Sequence, residues 1–270
     1  MKFKTGFTNI NNSRLYYEIA GAGNTLVLIH GSSTDTRMWD DQFEVFTKHF
    51  QVLRYDMRGH GQSDIPTNEP YTHAADLNAL LEYLKILNVH VAGLSSGGHT
   101  AIDFALLYPN KTSSLIPISA IPTGWRNQTE CKNSMTEIDE SIKTTFYTSG
   151  KRAATKLVYT HPVFNTAIVN PLSSARMKQY LDEVNWWRMF RKDPGKFEES
   201  SQINRLTEIL VPTLVIVGKL DIPEMEPASE DIVKNIKGST KVSLSQSGHM
   251  VNMENPKKFN KILLEFLKNI

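Results

Sequence analysis

The chain predicts an α/β fold: a mostly parallel, eight-stranded sheet with helices on both faces and a helical insertion late in the chain. Three observations carry this. Continuous apolar runs such as Leu26-Val27-Leu28-Ile29, Leu115-Ile116-Pro117-Ile118 and Leu214-Val215-Ile216-Val217 read as strands covered on both faces. Between them lie stretches with apolar residues at helical spacing. From Pro122 to Asn204 the strand pattern disappears and helical signals broken by turn residues take over. The expected division is therefore a core of 1–121 and 205–270, with 122–204 as a helical cap. The 270 residues, 40% of them hydrophobic, suffice for one such domain with an insertion.

In order, Phe7–Ile10 and Arg14–Glu18 form a hairpin turned at Asn11-Asn12. Leu26–Ile29 follows and runs into His30-Gly31-Ser32-Ser33. A glycine at the end of a buried strand lets the backbone turn sharply. His30 is read as a structural side chain that steadies this loop. Trp39, Phe43, Phe46 and Phe50 make one aromatic stripe, expected to pack on the sheet. Val52–Tyr55 is a strand ending at Asp56. In the loop after it, Asp56, Arg58 and Asp64 are read as structural hydrogen-bonding groups. Thr72 caps a helix marked by Leu77, Leu80, Leu81, Leu84 and Leu87.

Val89–Leu94 leads into Gly93-Leu94-Ser95-Ser96-Gly97-Gly98, a Gly-x-Ser-x-Gly pattern at a strand–turn–helix junction. Such a turn pushes the serine Oγ above the sheet edge. The first amides of the following helix lack partners and point toward the same spot. His99 and Asp103 lie four apart on this helix, but no third ligand is in view, and no metal site is expected. In the insertion, a helix capped by Ser173 or Ser174 runs through Met177, Leu181, Val184, Trp187 and Met189 to Asp193-Pro194-Gly195. Most of the insertion's large apolar side chains are assigned to its own core. Trp125, Trp186 and Trp187, with Met250 beyond it, are candidates to line a substrate pocket.

After the insertion, Asp221 follows the strand ending at Gly218, and Ser247-Gly248-His249 follows Lys241–Leu244. Asn255 caps and Pro256 opens a final helix. Ser95, Asp221 and His249 thus sit past the ends of three parallel strands. A serine hydroxyl is a weak nucleophile near neutrality. A histidine can accept its proton, and a carboxylate on the other ring nitrogen fixes the tautomer. Glu224, Glu226 and Asp231 compete for the acid position, and His60, His73, His90 and His161 lack the post-strand position of a base.

The formal net charge of +2, from 30 basic and 28 acidic residues, gives no nucleic-acid or membrane-binding patch. The single Cys131 permits no internal disulfide and is read as structural or neutral. With no signal peptide and no apolar span of membrane length, a cytoplasmic protein is expected.

The chain resembles the α/β-hydrolase superfamily, and within it the small capped members with a serine nucleophile. The resemblance rests on His30-Gly31-Ser32-Ser33 with Trp39, Asp56-Met57-Arg58-Gly59-His60-Gly61-Gln62-Ser63, Gly93–Gly98, Gly218 with Asp221, and Gly248-His249. It implies Ser95, Asp221 and His249 as triad and the N–H groups of Ser32 and Ser96 as oxyanion donors. Ser96 departs from the larger apolar residue of many relatives, which would widen the pocket floor. Some relatives carry the acid after the strand before the insertion, where this chain has Ser119-Ala120-Ile121. Serine rather than aspartate at 95 argues against dehalogenase and epoxide hydrolase chemistry.

The expected activity is cofactor-independent cleavage of a small apolar ester or lactone, carboxylesterase-like, through an acyl-enzyme on Ser95. The small-molecule acyl substrate is the one expected partner, and the oligomeric state stays open between monomer and homodimer. The alternatives are a carbon–carbon bond hydrolase or perhydrolase using the same triad, or a small-molecule receptor or signalling protein with slow turnover.

Overall fold

The computed structural model describes residues 3–125, 128–195 and 201–270, without the side chains of 128–136. Cys131 and parts of the expected insertion therefore lie outside the description. Eight strands form one sheet: β1 (Lys4–Ile10), β2 (Ser13–Ala20), β3 (Thr25–Ile29), β4 (Gln51–Tyr55), β5 (Val89–Leu94), β6 (Thr112–Ile118), β7 (Leu214–Gly218) and β8 (Thr240–Leu244). Their order is β1-β2-β4-β3-β5-β6-β7-β8. β2 pairs antiparallel with β1 and β4, and all the remaining pairs are parallel. The hairpin turn is Asn11-Asn12, both at positive φ (45° and 58°), as a type I′ turn demands.

The helices are α1 (Asp40–Phe46), α2 (His73–Tyr83), α3 (Ser96–Leu107), α4 (Gln128–Ser149), α5 (Lys151–Val158), α6 (Asn165–Val169), α7 (Ser174–Glu183), α8 (Gln202–Arg205), α9 (Met225–Asn235), α10 (Val251–Glu254) and α11 (Pro256–Lys268). Strand alternation sorts side chains onto the two faces of the sheet. Leu26 and Leu28 join Trp39, Phe43, Phe46, Phe259 and Leu263 in one core. Val27 and Ile29 join Leu77, Leu80, Leu81 and Phe104 in the other.

The chain order dictates where a ligand sits. From β3 the path goes to β4 on one side, then returns to β5 on the other. Connections diverge at the carboxyl ends of β3 and β5 and leave a crevice there, the usual ligand position in an open α/β sheet. α4 to α7 occur between β6 and β7, and Ile142, Val158, Phe164 and Leu181 from this stretch wall the cavity above those strand ends.

Local readings differ from the structure in four places. The helix expected to continue to Met189 stops at Glu183, and Trp186 adopts a left-handed backbone (φ 56°). Asn185 Nδ2 and Trp187 Nε1 both donate to the Gly59 carbonyl, each at 3.0 Å, and this docking draws the chain out of the helix. Leu87 is 78% exposed, because α2 ends at Tyr83 and Lys85 turns the chain at φ 58°. Ser173 does not cap α7 with its side chain; its hydroxyl donates to the Ala167 carbonyl at 2.9 Å. Asn255 likewise precedes α11 without a side-chain capping bond. Thr72 does cap α2, accepting from the Ala75 amide at 3.1 Å.

Candidate active site

Ser95 stands between β5 and α3 with φ 56° and ψ −115°, a backbone that an L-residue adopts only under constraint. The glycines on either side explain the constraint. A Cβ on Gly93 would lie 2.0 Å from the Gly97 carbonyl oxygen, and one on Gly97 would lie 2.4 Å from that of Ile29. Strand and helix therefore approach at a distance that glycine alone allows. Gly97→Ala is expected to lower stability by about 3 kcal/mol, in the range of severe overpacking. Urea unfolding of the variant measures it, and a loss under ~1 kcal/mol would contradict the close approach.

Gly218 does the same work at the end of β7. A Cβ there would meet the Gly248 and Ser247 carbonyl oxygens at 2.1 and 2.3 Å. The Leu220 amide donates to Ser247 O at 2.9 Å, which fastens the two loops together. Across this contact His249 Nδ1 lies 2.9 Å from Asp221 Oδ2 and 3.1 Å from Oδ1. The Asp221 and His249 side chains are only 1% and 4% exposed. Oδ1 also accepts from the Ile222 amide at 2.8 Å. Among the competing acids, Glu226 is engaged by Lys241 and Ser243, and Asp231 by Trp125.

Ser95, His249, Ser32 and Ser96 all line one cavity of about 1100 Å³. Ser96 opens α3, so its amide has no carbonyl one turn earlier to bond. Of the candidate pocket residues, Trp186, Trp187 and Met250 line this cavity. Trp186 stacks on Phe146 with ring centroids 5.2 Å apart. Trp125 does not line it. Its indole Nε1 donates to Asp231 Oδ2 at 2.6 Å, which corrects the expectation from sequence. Aromatic content alone could not separate a pocket wall from a ring committed to a carboxylate on α9. Ser119, where some relatives carry an acid, lies at φ 44° on the cavity wall and brings no carboxylate.

The neighbouring polar groups hold loops. The Met57 amide donates to His30 Nε2 at 2.9 Å, so Nδ1 carries the proton toward the Gly31 carbonyl at 2.7 Å. His60 Nε2 lies 2.7 Å from the Ser32 carbonyl. Asp56 accepts from the Thr36 and Gln62 amides, each at 2.8 Å. Arg58 donates twice to Asp76, at 2.9 and 2.8 Å, in a pair buried to 2% and 1% exposure. Stranding either charge would cost about 3–5 kcal/mol, so this pair locks the loop. Asp103 accepts from Gln202 Nε2 at 2.7 Å. Among the described residues no three His, Cys, Asp or Glu side chains are grouped to hold a metal ion, and no helix is long and apolar enough to cross a membrane.

Burial is the leading cause that lowers the pKa of His30, His60, His73, His90, His99 and His161, with His99 at about 4 and His73 at about 3. His249 moves the other way. Burial pulls it down, but the Asp221 charge and hydrogen bond, with Glu254 behind them, outweigh burial and raise it. The six lowered imidazoles contribute stability that is present above the unfolded value near 6.5 and lost as pH falls through their folded values. His249 contributes below 6.5 and loses that contribution as pH rises through its raised value. Six against one set the direction: the urea midpoint is expected to fall steadily from pH 7 to pH 4, and a flat profile would contradict it.

Sequence reading missed Glu254. It closes α10, five residues after His249, and its carboxylate accepts from the Gly248 amide at 2.7 Å and the Met250 amide at 3.0 Å. The signal available was an acidic residue one helical turn beyond the histidine loop.

Residues 24–256 match the family model of the alpha/beta hydrolase fold, and the chain belongs to that family. It is 25% identical over 273 residues to 3-oxoadipate enol-lactonase 1 of Acinetobacter baylyi, covering 97% of this chain and 96% of the relative. It is 28% identical to the 2-hydroxy-6-oxononadienedioate/2-hydroxy-6-oxononatrienedioate hydrolase of Paraburkholderia xenovorans, covering 94% and 90%. Among solved structures, the enol-lactonase from Burkholderia xenovorans superposes with a TM-score of 0.81 at 25% identity, covering 97% of this chain and all of that one.

Proposed function

We propose that this protein is a cofactor-independent serine hydrolase that cleaves a small, largely apolar ester or lactone. The observation that carries the reading is the buried His249–Asp221 hydrogen bond, facing the same cavity as a serine in constrained backbone at a strand–helix turn. Ser95 Oγ attacks the substrate carbonyl while His249 Nε2 takes its proton. The carbonyl oxygen becomes an oxyanion held by the Ser32 and Ser96 amides. Collapse of that intermediate breaks the carbon–oxygen bond, and the proton on His249 passes to the leaving oxygen. Water, deprotonated by the same imidazole, then releases the acid from the acyl-enzyme. Asp221 stays ionised and keeps Nδ1 protonated, so Nε2 is free to accept.

In this reading, residues 122–204 act as a cap over a core of 1–121 and 205–270. Ile142, Val158, Phe164 and Leu181 give the cavity an apolar wall suited to an acyl chain. Trp186, Trp187 and Met250 contact substrate. The names of two relatives support an enol-lactone substrate. A third relative, at 28% identity, supports a second reading in which the same residues cleave a carbon–carbon bond next to a ketone. The fold hosts both chemistries, so the substrate must be tested at the site.

Turnover of p-nitrophenyl butyrate, a simple enol-lactone and a conjugated 1,5-diketone under one set of conditions decides between them. A kcat/KM above ~10⁴ M⁻¹s⁻¹ for ester or lactone, with the diketone far slower, is expected. The reverse order would replace the ester reading with carbon–carbon cleavage.

A further inference from the structure

Glu254 is 3% exposed, and every polar contact the structure gives its carboxylate is an incoming donor. Oε2 accepts from the Gly248 amide at 2.7 Å, and Oε1 from the Met250 amide at 3.0 Å. These are the amides immediately before and after His249. A third donor, Thr166 Oγ1, reaches Oε1 at 3.1 Å from α6, between β6 and β7. Asn170 Nδ2, just past α6, donates to the Glu254 backbone carbonyl at 3.2 Å. Gly248 makes room for this approach: a Cβ there would lie 1.9 Å from Thr166 Oγ1.

We propose that Glu254 is the positioning residue for His249, and that Thr166 is the hydroxyl through which the insertion reaches it. The inference rests on His249 acting as the base. The imidazole must meet Asp221 on one side and Ser95 on the other, and its backbone sits in a loop outside the sheet ladder. One carboxylate gripping the backbone N–H of the residue on each side of His249 fixes that loop at two points. Hydrogen bonds to an ionised acceptor are the strong ones, and an ionised carboxylate only accepts, which suits three converging donors. A displacement of one ångström at a reacting group costs about 100-fold in rate. A shift of α6 would break the Thr166 contact and loosen the grip, so docking of the insertion and placement of the base are linked.

The charge has a separate signature. Asp221 and Glu254 both face His249 and raise its pKa against burial. His99 on α3 and His161 before α6 also lie within reach, but burial and the His249 charge lower both, so they are neutral where His249 titrates and put no opposing charge on it. Burial pushes Glu254 itself up, against the pull of the Gly248 and Met250 amides and of Thr166. Removing the Glu254 charge therefore lets His249 titrate at lower pH.

The experiment is an NMR titration of the eight histidine side chains in the full chain. It compares wild type with Glu254→Gln and Thr166→Val, with the His249 signal assigned by its loss in His249→Ala. Steady-state kinetics run beside it on the best ester or lactone. Glutamine keeps the shape but offers one oxygen, so one flanking amide loses its partner. For Glu254→Gln, kcat is expected to fall by about 10- to 100-fold with KM within twofold. The His249 titration and the acid limb of kcat should move together to lower pH. For Thr166→Val, kcat should fall a few-fold with KM unchanged. A folded Glu254→Gln with wild-type kcat and an unmoved His249 titration overturns the proposal. If that variant does not fold, Thr166→Val decides: unchanged kcat and titration overturn the link, and a few-fold loss of kcat supports it. The titration needs no substrate. A wild-type chain inert to every ester and lactone would sink the ester and lactone reading while leaving the role of Glu254 tested.

Discussion

Ser95→Ala is expected to abolish turnover, lowering kcat by about 10⁶-fold, the scale of loss when a triad nucleophile is removed. The residual rate, about 10³-fold over water, would come from the oxyanion donors and from binding. The fold should survive. The strained backbone at φ 56° is imposed by the packing of Gly93 against Gly97 and of Gly97 against Ile29 and His30, and alanine meets the same constraint that serine does. Stopped-flow hydrolysis of p-nitrophenyl butyrate, together with thermal unfolding, measures both halves. Wild type should show a burst of one product per chain followed by turnover near ~1 per second or faster. The variant should show neither, with its melting temperature nearly unchanged. Full activity in Ser95→Ala would remove the serine from the mechanism. A wild-type burst followed by silence would mean a live nucleophile with blocked deacylation, and would favour a ligand receptor over an enzyme.

How far the sequence could be read depended on whether an element is set by local chemistry or by distant partners. The strands were legible because each is a short apolar run bounded by turn residues, and burial on both faces leaves that pattern little freedom. The elbow at Ser95 was legible because two glycines at fixed spacing have a steric meaning that no tertiary context changes. Asp221 and His249 were readable as post-strand residues, and the sheet order then brings them within 3.1 Å of each other. The helical stretch between β6 and β7 was harder. The helix expected through Val184 to Met189 had the right apolar spacing, but Gly59, 128 residues away from Trp187, accepts the bonds that break it. Trp125 was misplaced for the same reason, since Asp231 lies 106 positions along the chain. Glu254 escaped notice because a carboxylate near a helix start looks like any solvated acid until its two amides are seen.

Asp221→Asn is the second large effect expected, and it separates orientation from charge. In the proposed mechanism the carboxylate accepts the Nδ1 proton of His249, which leaves Nε2 to accept the Ser95 proton. An asparagine at 221 can turn its amide and donate to Nδ1. That arrangement places the ring proton on Nε2, where it cannot take the serine proton. A loss of about 10⁴-fold in kcat is expected from the wrong tautomer. The loss also removes a charge that raises the His249 pKa, so the imidazole should titrate at lower pH than in the wild type. The two consequences pull the pH–rate profile in a recognisable way. If His249 is the base, as proposed, activity needs it neutral, so the acid limb should move to lower pH even as the plateau falls by four orders of magnitude. Raising the pH should not restore the plateau, because the tautomer is wrong at every pH. Measuring kcat from pH 5 to 9 in both proteins tests this. A variant whose rate recovers at high pH would show that Asp221 contributes only charge. A variant with wild-type kcat would mean that the hydrogen bond at 2.9 Å is structural and that another acid serves the site. Glu254→Gln leaves the tautomer untouched and so predicts a far smaller plateau loss with a shift of the same sign. The two carboxylates around one imidazole can therefore be told apart by the size of the loss at equal direction of shift.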